Sequence, residues 1–322
     1  MLRNQALQSL MMAAAIGVLG MCAGAVLAQE FPDRPIRLII PYPPGGAASL
    51  NGGVLATSAE PHFGQPMIPV IRAGGGGIAG AAYTLSEPAD GYTVFLGDVT
   101  INSLRPLVED GITYEPDDFV PIARITLDPM IFVASPDAPF STIGEMVEFA
   151  KSHPDEFVYS SDNVNGWTYV AFKALEAATG VEMRGIEFGG GGPAVANILG
   201  GNTMAYAGAP AVVGEHVLGG ALVPLCAAGT ERVAALPDVP TCTEEGYDVV
   251  WQVWLGALVH KDTPPDRVSK LRESFAELLK DEGLLTLMGR INTDLHYLGG
   301  EEWADELVAE QGRLLEIYER TN

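Results

Sequence analysis

The sequence predicts an α/β fold of two domains with mostly parallel strands, and three observations support that prediction. Short apolar runs alternate with longer segments whose apolar residues have helical spacing. Several runs end in glycine or small polar residues just before a helical segment begins. The chain has 322 residues, 48% of them hydrophobic, which is enough for a sizeable core and for two domains.

Seven apolar runs are typical of strands. They are short and are bounded by glycine, proline or small polar residues. In chain order they cover residues 36–42, 66–71, 92–98, 130–135, 157–162, 222–229 and 254–260.

Four segments combine helical spacing with terminal signals. Thr142 or Ser141 caps the first helix, Gly180 ends the second, and Pro265 stands at a permitted first position of the third. The predicted helices cover residues 142–153, 167–180, 265–283 and 301–320.

Several predicted strands end in glycine-rich or small polar loops. In open α/β sheets, ligands bind outside the carboxyl ends of the strands, where N–H groups at helix starts are unpaired and partly positive. In the loop "PYPPGGAAS", Pro43 and Pro44 stiffen the chain, and Gly45 and Gly46 let a ligand approach the backbone. We therefore predict a ligand loop there, with a tight turn that binds nothing as the alternative. The loops of this kind cover residues 41–49, 95–103, 160–168 and 206–213.

A second glycine motif favours a different function. Gly75-x-Gly77-x-x-Gly80 follows a strand, and Asp98 ends the next strand 18 residues later. This layout is typical of dinucleotide binding, and it makes a nicotinamide-dependent oxidoreductase the alternative function. Pro88 would shorten the helix that should follow, and so many glycines (38 in the chain) match the spacing easily.

Motifs for catalysis or metal binding are otherwise lacking. The histidines at positions 62, 153, 216, 260 and 296 show no paired metal spacing. The sequence has neither a Gly-x-Ser-x-Gly elbow nor the Lys-Ser/Thr of a phosphate loop. We predict a protein that is not an enzyme, with no catalytic residue, cofactor or metal.

The N-terminus predicts export. Residues 1–28 have Arg3 as their only charge, then a long apolar stretch, and they end in Val26-Leu27-Ala28, which fits a secretory signal peptide. An N-terminal membrane anchor is the alternative. Cleavage after Ala28 would place the mature chain in the periplasm.

The remaining chain is strongly acidic. Its 17 basic and 41 acidic residues give a net charge of −24, which disfavours nucleic acid and anionic membranes as partners. Cys226 and Cys242 could form a disulfide in an oxidising compartment, or Cys226 could be a buried free thiol.

Several stretches together resemble the periplasmic solute-binding proteins of tripartite tricarboxylate transporters, often called Bug proteins. The similarity runs from about residue 30 to the C-terminus, and the string Leu-Pro-Asp-Val-Pro-Thr at 236–241 is quite specific. The blocks that carry it are "FPDRPIRLIIPYPPGG", "GQPMIPVIRAGGGGIAGAAYTLSEPADGYTVFLGD", "FGGGGPAVANILGG" and "RVAALPDVPTCTEEGYDVVWQVWLGALVHKDTPPDRVSKL".

The resemblance implies a type II periplasmic-binding-protein fold, in which two α/β lobes joined by crossing hinge strands close on a ligand. We expect lobe 1 over residues 29–128, lobe 2 over 129–247, and a return to lobe 1 over 248–322. Such proteins capture small polar organic solutes, mostly carboxylates and some amino acids, and deliver them to the membrane subunits of a secondary transporter. We expect a monomer. A ligand sensor of the same fold for a signalling system is a further alternative.

The resemblance also implies a set of ligand-binding residues on opposed loops. In lobe 1 these are Pro44, Gly45, Gly46, Ala47 and Ser49, with Gly97, Asp98, Val99 and Thr100. In lobe 2 they are Asp162, Asn163, Gly166, Trp167 and Thr168, with Gly208 and Ala209.

The chain departs from the family pattern by gaining acidic groups. Asp98 and Asp162 stand where small residues are usual, and Glu187 lies in a stretch that has lost a lysine. A carboxylate ligand next to an unpaired Asp98 would be repelled. One hypothesis is that Asp98 accepts hydrogen bonds from an ammonium or hydroxyl group of the ligand while Trp167 covers its face. The alternative is that Asp98 caps a helix and does not touch the ligand.

Overall fold

The computed structural model describes residues 30–321, and the predicted signal peptide at 1–28 lies outside them. The described chain forms two mixed sheets flanked by helices, in agreement with the predicted α/β class. The strands are β1 (Ile36–Ile40), β2 (Met67–Ile71), β3 (Thr93–Asp98), β4 (Phe119–Pro129), β5 (Ile131–Ala134), β6 (Val158–Ser161), β7 (Arg184–Glu187), β8 (Ala205–Gly208), β9 (Val223–Ala227), β10 (Gln252–His260) and β11 (Leu298–Gly299).

The helices cover both sheets. They are α1 (Ala47–Ser58), α2 (Glu60–Phe63), α3 (Ile78–Ser86), α4 (Arg105–Val108), α5 (Ile143–Ser152), α6 (Trp167–Thr179), α7 (Gly191–Leu199), α8 (Pro210–Leu218), α9 (Pro265–Leu278), α10 (Glu282–Arg290) and α11 (Gly300–Thr321). A π-helical turn, Thr100–Leu104, leads directly into α4.

Each sheet forms the centre of one lobe. The six-stranded sheet of lobe 1 has the order β11-β4-β10-β3-β1-β2, and the five-stranded sheet of lobe 2 has the order β7-β6-β8-β5-β9. β1 pairs in parallel with β2 and β3, whereas β4 and β10 are antiparallel to their neighbours. In lobe 2, β5 is antiparallel to both β8 and β9. The expectation of mostly parallel strands is therefore wrong, because β10 in lobe 1 and β5 in lobe 2 each run against both of their neighbours in the sheet.

Two chain segments cross between the lobes side by side. β4 ends at Pro129, and β5 begins at Ile131 in the other sheet. The returning chain lies beside this crossing, since Met130 N–H donates to the Trp251 carbonyl at 3.1 Å. Trp251 N–H in turn donates to the Ala228 carbonyl, and Ala228 N–H donates to the Met130 carbonyl, each at 2.8 Å. The sequence pattern did not predict β4, in which Pro121 and Arg124 interrupt the apolar residues.

Helix ends follow local signals. Thr142 caps α5 by accepting the Glu145 N–H at 3.2 Å, and Gly180 ends α6 in a left-handed conformation. The helix predicted over 265–283 ends earlier, at Leu278. Asp281 then caps a separate helix, α10, by accepting the Leu284 N–H at 2.8 Å.

Cys226 and Cys242 form a disulfide, which resolves the two alternatives for these cysteines. Within residues 30–321, no helix is both long enough and apolar enough to cross a bilayer. The same part of the chain contains no group of three or more His, Cys, Asp or Glu side chains placed to hold a metal ion.

Candidate functional site

The two lobes touch through glycine loops. Gly45 and Gly46, which precede α1, pack on Gly191 and Gly192 at the start of α7. A Cβ atom added to Gly192 would lie only 2.2 Å from the Pro44 carbonyl oxygen, and one added to Gly46 would lie 3.5 Å from the Gly192 nitrogen. Such a close approach of two backbones requires glycine, and it shows that the lobes are closed on each other.

Helices α1 and α7 begin at this contact. Neither helix has a side-chain cap, and neither has an acidic residue in its first turn. Their first N–H groups therefore supply partial positive charge from both lobes to the same place. The pair of helix starts is suited to hold an anionic group.

A narrow cavity lies beside this contact and has walls from both lobes. In this closed form its volume open to water is about 30 Å³. Pockets that hold small molecules are typically about 300–1,000 Å³, so an organic acid must widen this cavity to bind. Lobe 1 contributes Tyr42, Gly46, Ala47 and Ala48, the crossing segment contributes Met130, and lobe 2 contributes Asp162, Trp167, Thr168, Gly191, Tyr206, Ala209 and Val212. No lysine or arginine is among these lining residues.

A larger hollow of about 510 Å³ lies elsewhere, on lobe 2 between Pro154 and Arg184. It is open to solvent and receives no residue from lobe 1. Closure of the lobes would not affect a ligand held there, so a cavity with walls from both lobes is the better candidate site. The cavity beside the glycine contact is favoured because the starts of α1 and α7 lie next to it.

Asp98 is fully buried in lobe 1 and its carboxylate is well satisfied. Its oxygens accept the Tyr42 hydroxyl at 2.8 Å, the Thr100 N–H at 2.8 Å and hydroxyl at 2.7 Å, and the Ile101 N–H at 3.1 Å. Asp98 does not line the cavity and is linked to it through Tyr42. Burial, and then the charge of Asp98, raise the pKa of the Tyr42 hydroxyl well above its usual value. This geometry favours the capping alternative for Asp98, and its direct contact with a ligand stays a prediction.

Asp162 lies in the cavity wall at the end of β6. Its carboxylate accepts the Asn163 N–H and the Trp167 N–H, each at 2.9 Å. Burial raises the pKa of Asp162 to about 6, although these N–H groups lower it. The group is therefore mostly ionised at neutral pH and becomes protonated in mild acid.

Several polar side-chain atoms near the cavity are buried without a hydrogen-bond partner among the described residues. They include Ser161 Oγ, Asn163 Nδ2 and Trp167 Nε1. Trp167 lines the cavity, is 8% exposed, and packs edge-to-face with Tyr42 at 6.4 Å between ring centroids. A buried donor without an acceptor costs free energy, which a ligand oxygen would recover.

The structure brings together six of the predicted site residues in the cavity wall. These are Gly46, Ala47, Asp162, Trp167, Thr168 and Ala209. The others lie in the same loops but outside the lining: Pro44, Gly45, Ser49, Gly97, Asp98, Val99, Thr100, Asn163, Gly166 and Gly208. The predicted set of site residues did not include Tyr42, Ala48, Met130, Gly191, Tyr206 and Val212, although Tyr42 and Ala48 lie in the predicted ligand loop 41–49 and Val212 in the loop 206–213. Of these, Tyr42 and Gly191 lie within stretches quoted for the resemblance, and Tyr206 begins a predicted ligand loop. Glu187 is exposed on β7, outside the lining.

Two asparagines hold the closed lobes together. Asn165 of lobe 2 donates to Glu109 of lobe 1 at 2.9 Å, and Asn292 of lobe 1 donates to Glu215 of lobe 2 at 3.2 Å. Both asparagines have left-handed backbones, with φ of 54° and 55°, and no other described residue except glycine has positive φ. The Arg105 guanidinium donates two further hydrogen bonds to the Glu109 carboxylate, at 2.8 and 2.9 Å.

The Gly75-x-Gly77-x-x-Gly80 loop is filled by the protein itself. Arg105 donates to the Gly76 carbonyl at 2.7 Å, and a Cβ on Gly76 would lie 1.8 Å from the Arg105 Nη1. A Cβ on Gly77 would meet Ile101 at 2.2 Å. These glycines therefore make room for protein side chains, and this packing counts against the dinucleotide alternative.

Comparisons with known proteins agree with this geometry. The family model described as "Tripartite tricarboxylate transporter family receptor" matches residues 53–313. Protein BugT of Bordetella pertussis is 30% identical over 272 residues, which is 82% of each chain. The structure of R. palustris Rpa4515 with adipate has a TM-score of 0.86 at 22% identity and covers 91% of this chain and 98% of its own. The structure of MatC from Rhodopseudomonas palustris with bound malate has a TM-score of 0.79 at 22% identity, covering 90% and 98%.

Proposed function

The chain belongs to the family of tripartite tricarboxylate transporter receptors, and from this premise we propose that it captures a small organic acid between its lobes. The main support is that the starts of α1 and α7, from opposite lobes, meet beside a cavity and have no side-chain caps. The cavity wall also holds Trp167 Nε1, a buried donor with no partner among the described residues. Two similar folds, those named with adipate and malate, hold carboxylic acids. That likeness supports the same ligand class here.

The chemistry of capture depends on backbone donors. A ligand carboxylate between the first N–H groups of α1 and α7 would receive hydrogen bonds from both lobes, together with the attraction of two helix dipoles. Because none of the described lining residues is a lysine or arginine, these donors and Trp167 Nε1 would supply the anion affinity. The aromatic rings of Tyr42, Trp167 and Tyr206 would then cover the apolar part of the ligand.

Closure links capture to delivery. A ligand that bonds to both lobes binds the closed form better than the open form, and so it shifts the equilibrium between them. Delivery then requires that the membrane subunits of the transporter favour the open form. We propose that the protein is a monomeric receptor rather than an enzyme, with the lobes divided at 128/129 and 247/248. The sheets support that division, since β5 to β9 lie within residues 131–227.

We propose a periplasmic location. The disulfide between Cys226 and Cys242 fits an oxidising compartment, in which such bonds persist. The signal-peptide pattern of residues 1–28 is consistent with it.

A thermal-shift screen of the mature chain tests this function. Short carboxylic acids should stabilise the protein, and their uncharged amides, as matched controls, should not. A ligand at a hundredfold excess over its Kd should add about 2.7 kcal/mol of stability. Stabilisation by NAD but by none of the acids would instead favour the oxidoreductase alternative.

A further inference from the structure

The position of Asp162 suggests that this receptor discriminates between acids, an inference that rests on the proposed function. Asp162 is 6% exposed and lines the cavity between the lobes. Its carboxylate accepts the N–H of Trp167, the first residue of α6, and the N–H of Asn163. The carboxylate therefore occupies the helix start where an anionic part of a ligand could otherwise bind.

The neighbouring backbone is shaped around this carboxylate. A Cβ added to Gly166 would lie 2.6 Å from Asp162 Oδ1 and 2.7 Å from Oδ2. Only glycine at position 166 leaves room for the carboxylate between the loop and the helix.

Lobe 1 repeats the arrangement behind the cavity wall. Asp98 accepts the N–H groups of Thr100 and Ile101 and is joined to the lining through the Tyr42 hydroxyl. The nearby cation Arg105 is held by Glu109 and the Gly76 carbonyl. The carboxylates of Asp98 and Asp162 thus accept the first N–H groups of the π-helical turn Thr100–Leu104 and of α6. In contrast, α1 and α7 have no side-chain cap.

This distribution of charge suits a ligand with one carboxylate. One anionic group can bind between the starts of α1 and α7. A second anionic group in the same narrow cavity would face Asp162, and none of the described lining residues is a lysine or arginine that could offset the repulsion. We propose that Asp162 is a specificity-determining residue that makes the receptor select a monocarboxylate with an uncharged or cationic far end over a dicarboxylate of the same length.

Acids of matched length test this proposal. Isothermal titration calorimetry at pH 7.5 would compare adipate, hexanoate and 6-aminohexanoate, and also the shorter set of succinate, butanoate and 4-aminobutanoate. In at least one set, the wild type should bind a monocarboxylate at least about tenfold more tightly than the dicarboxylate. Equal or tighter binding of the dicarboxylate in both sets would overturn the proposal.

Two variants assign the preference to Asp162. Asp162→Ser and Asp162→Asn remove the charge and leave the N-cap of α6, Gly166, in place, so α6 should still form, which circular dichroism can verify. Both should bring the affinity ratio close to one. Asp155→Ser, which removes an exposed acid from the same lobe, should leave the ratio unchanged.

The outcomes separate the two proposals. A wild-type preference that persists in both Asp162 variants would overturn the role of Asp162 and leave the receptor function standing. Failure of all six acids to bind the wild type, in a screen that also finds no other acid, would contradict the receptor function itself.

Discussion

Replacing Gly192 with alanine tests whether tight closure of the lobes is needed for binding. Gly192 is the second residue of α7, and an added Cβ would lie 2.2 Å from the Pro44 carbonyl oxygen of the opposite lobe. Real Cβ atoms essentially never show contacts under 3.0 Å. The two glycine loops would therefore have to separate by roughly 1 Å, because close-packed backbones cannot absorb the overlap.

The size of the effect follows from hydrogen-bond geometry. A separation of roughly 1 Å lengthens an N–H···O bond from about 2.9 Å to about 3.9 Å, which is no longer a hydrogen bond. A ligand carboxylate held by both lobes would lose at least one hydrogen bond to a charged group, worth about 1.5–3 kcal/mol. We therefore expect the Kd to rise about 10- to 150-fold.

Isothermal titration calorimetry with the tightest acid from the screen measures this change. Gly53→Ala is the matched control, since Gly53 also lies in a helix, α1, but an added Cβ would meet nothing within 4 Å. The control should keep its affinity and gain about 1 kcal/mol of stability from better helix propensity. If Gly192→Ala binds the acid as tightly as the wild type, the ligand does not depend on this contact and our account of closure is wrong.

Three further changes have defined outcomes. Asn165→Gly keeps a residue that tolerates positive φ but removes the hydrogen bond to Glu109, so ligand affinity should fall several-fold. An unchanged Kd would show that this hydrogen bond does not contribute to closure. Burial raises the pKa of Asp128 to about 7 in the folded protein, above its value in the unfolded chain. Below pH 7 the unfolded state therefore binds fewer protons than the folded state, and the free energy of unfolding falls as pH rises toward 7. Asp128→Asn should remove a slope of up to about 1.4 kcal/mol per pH unit from urea-denaturation free energies measured between pH 5 and 7, and an unaltered slope would exclude Asp128 as the source. Reduction of the disulfide between Cys226 and Cys242, 16 residues apart, should lower the free energy of unfolding by about 3 kcal/mol, and a reduced protein of full stability would contradict this.

The sequence determined those features that depend on neighbours along the chain. Thr142 caps α5 through the N–H of a residue three positions later, and Gly180 ends α6 because of its own backbone freedom. The glycine loop that precedes α1 was also evident, since strand, prolines and glycines follow each other directly. Such signals act over a few residues and can be read without knowing the fold.

Only the tertiary structure decided which distant groups meet. Three features join segments that are far apart in the chain: Gly46 contacts Gly192, the Tyr42 hydroxyl donates to the Asp98 carboxylate, and Met130 lies in the cavity wall. β4 went unpredicted because its pairing with β10, rather than a clear apolar alternation, holds it in the sheet. Hydrogen bonds and close contacts depend on position in space, and the sequence order of these residues does not contain that information.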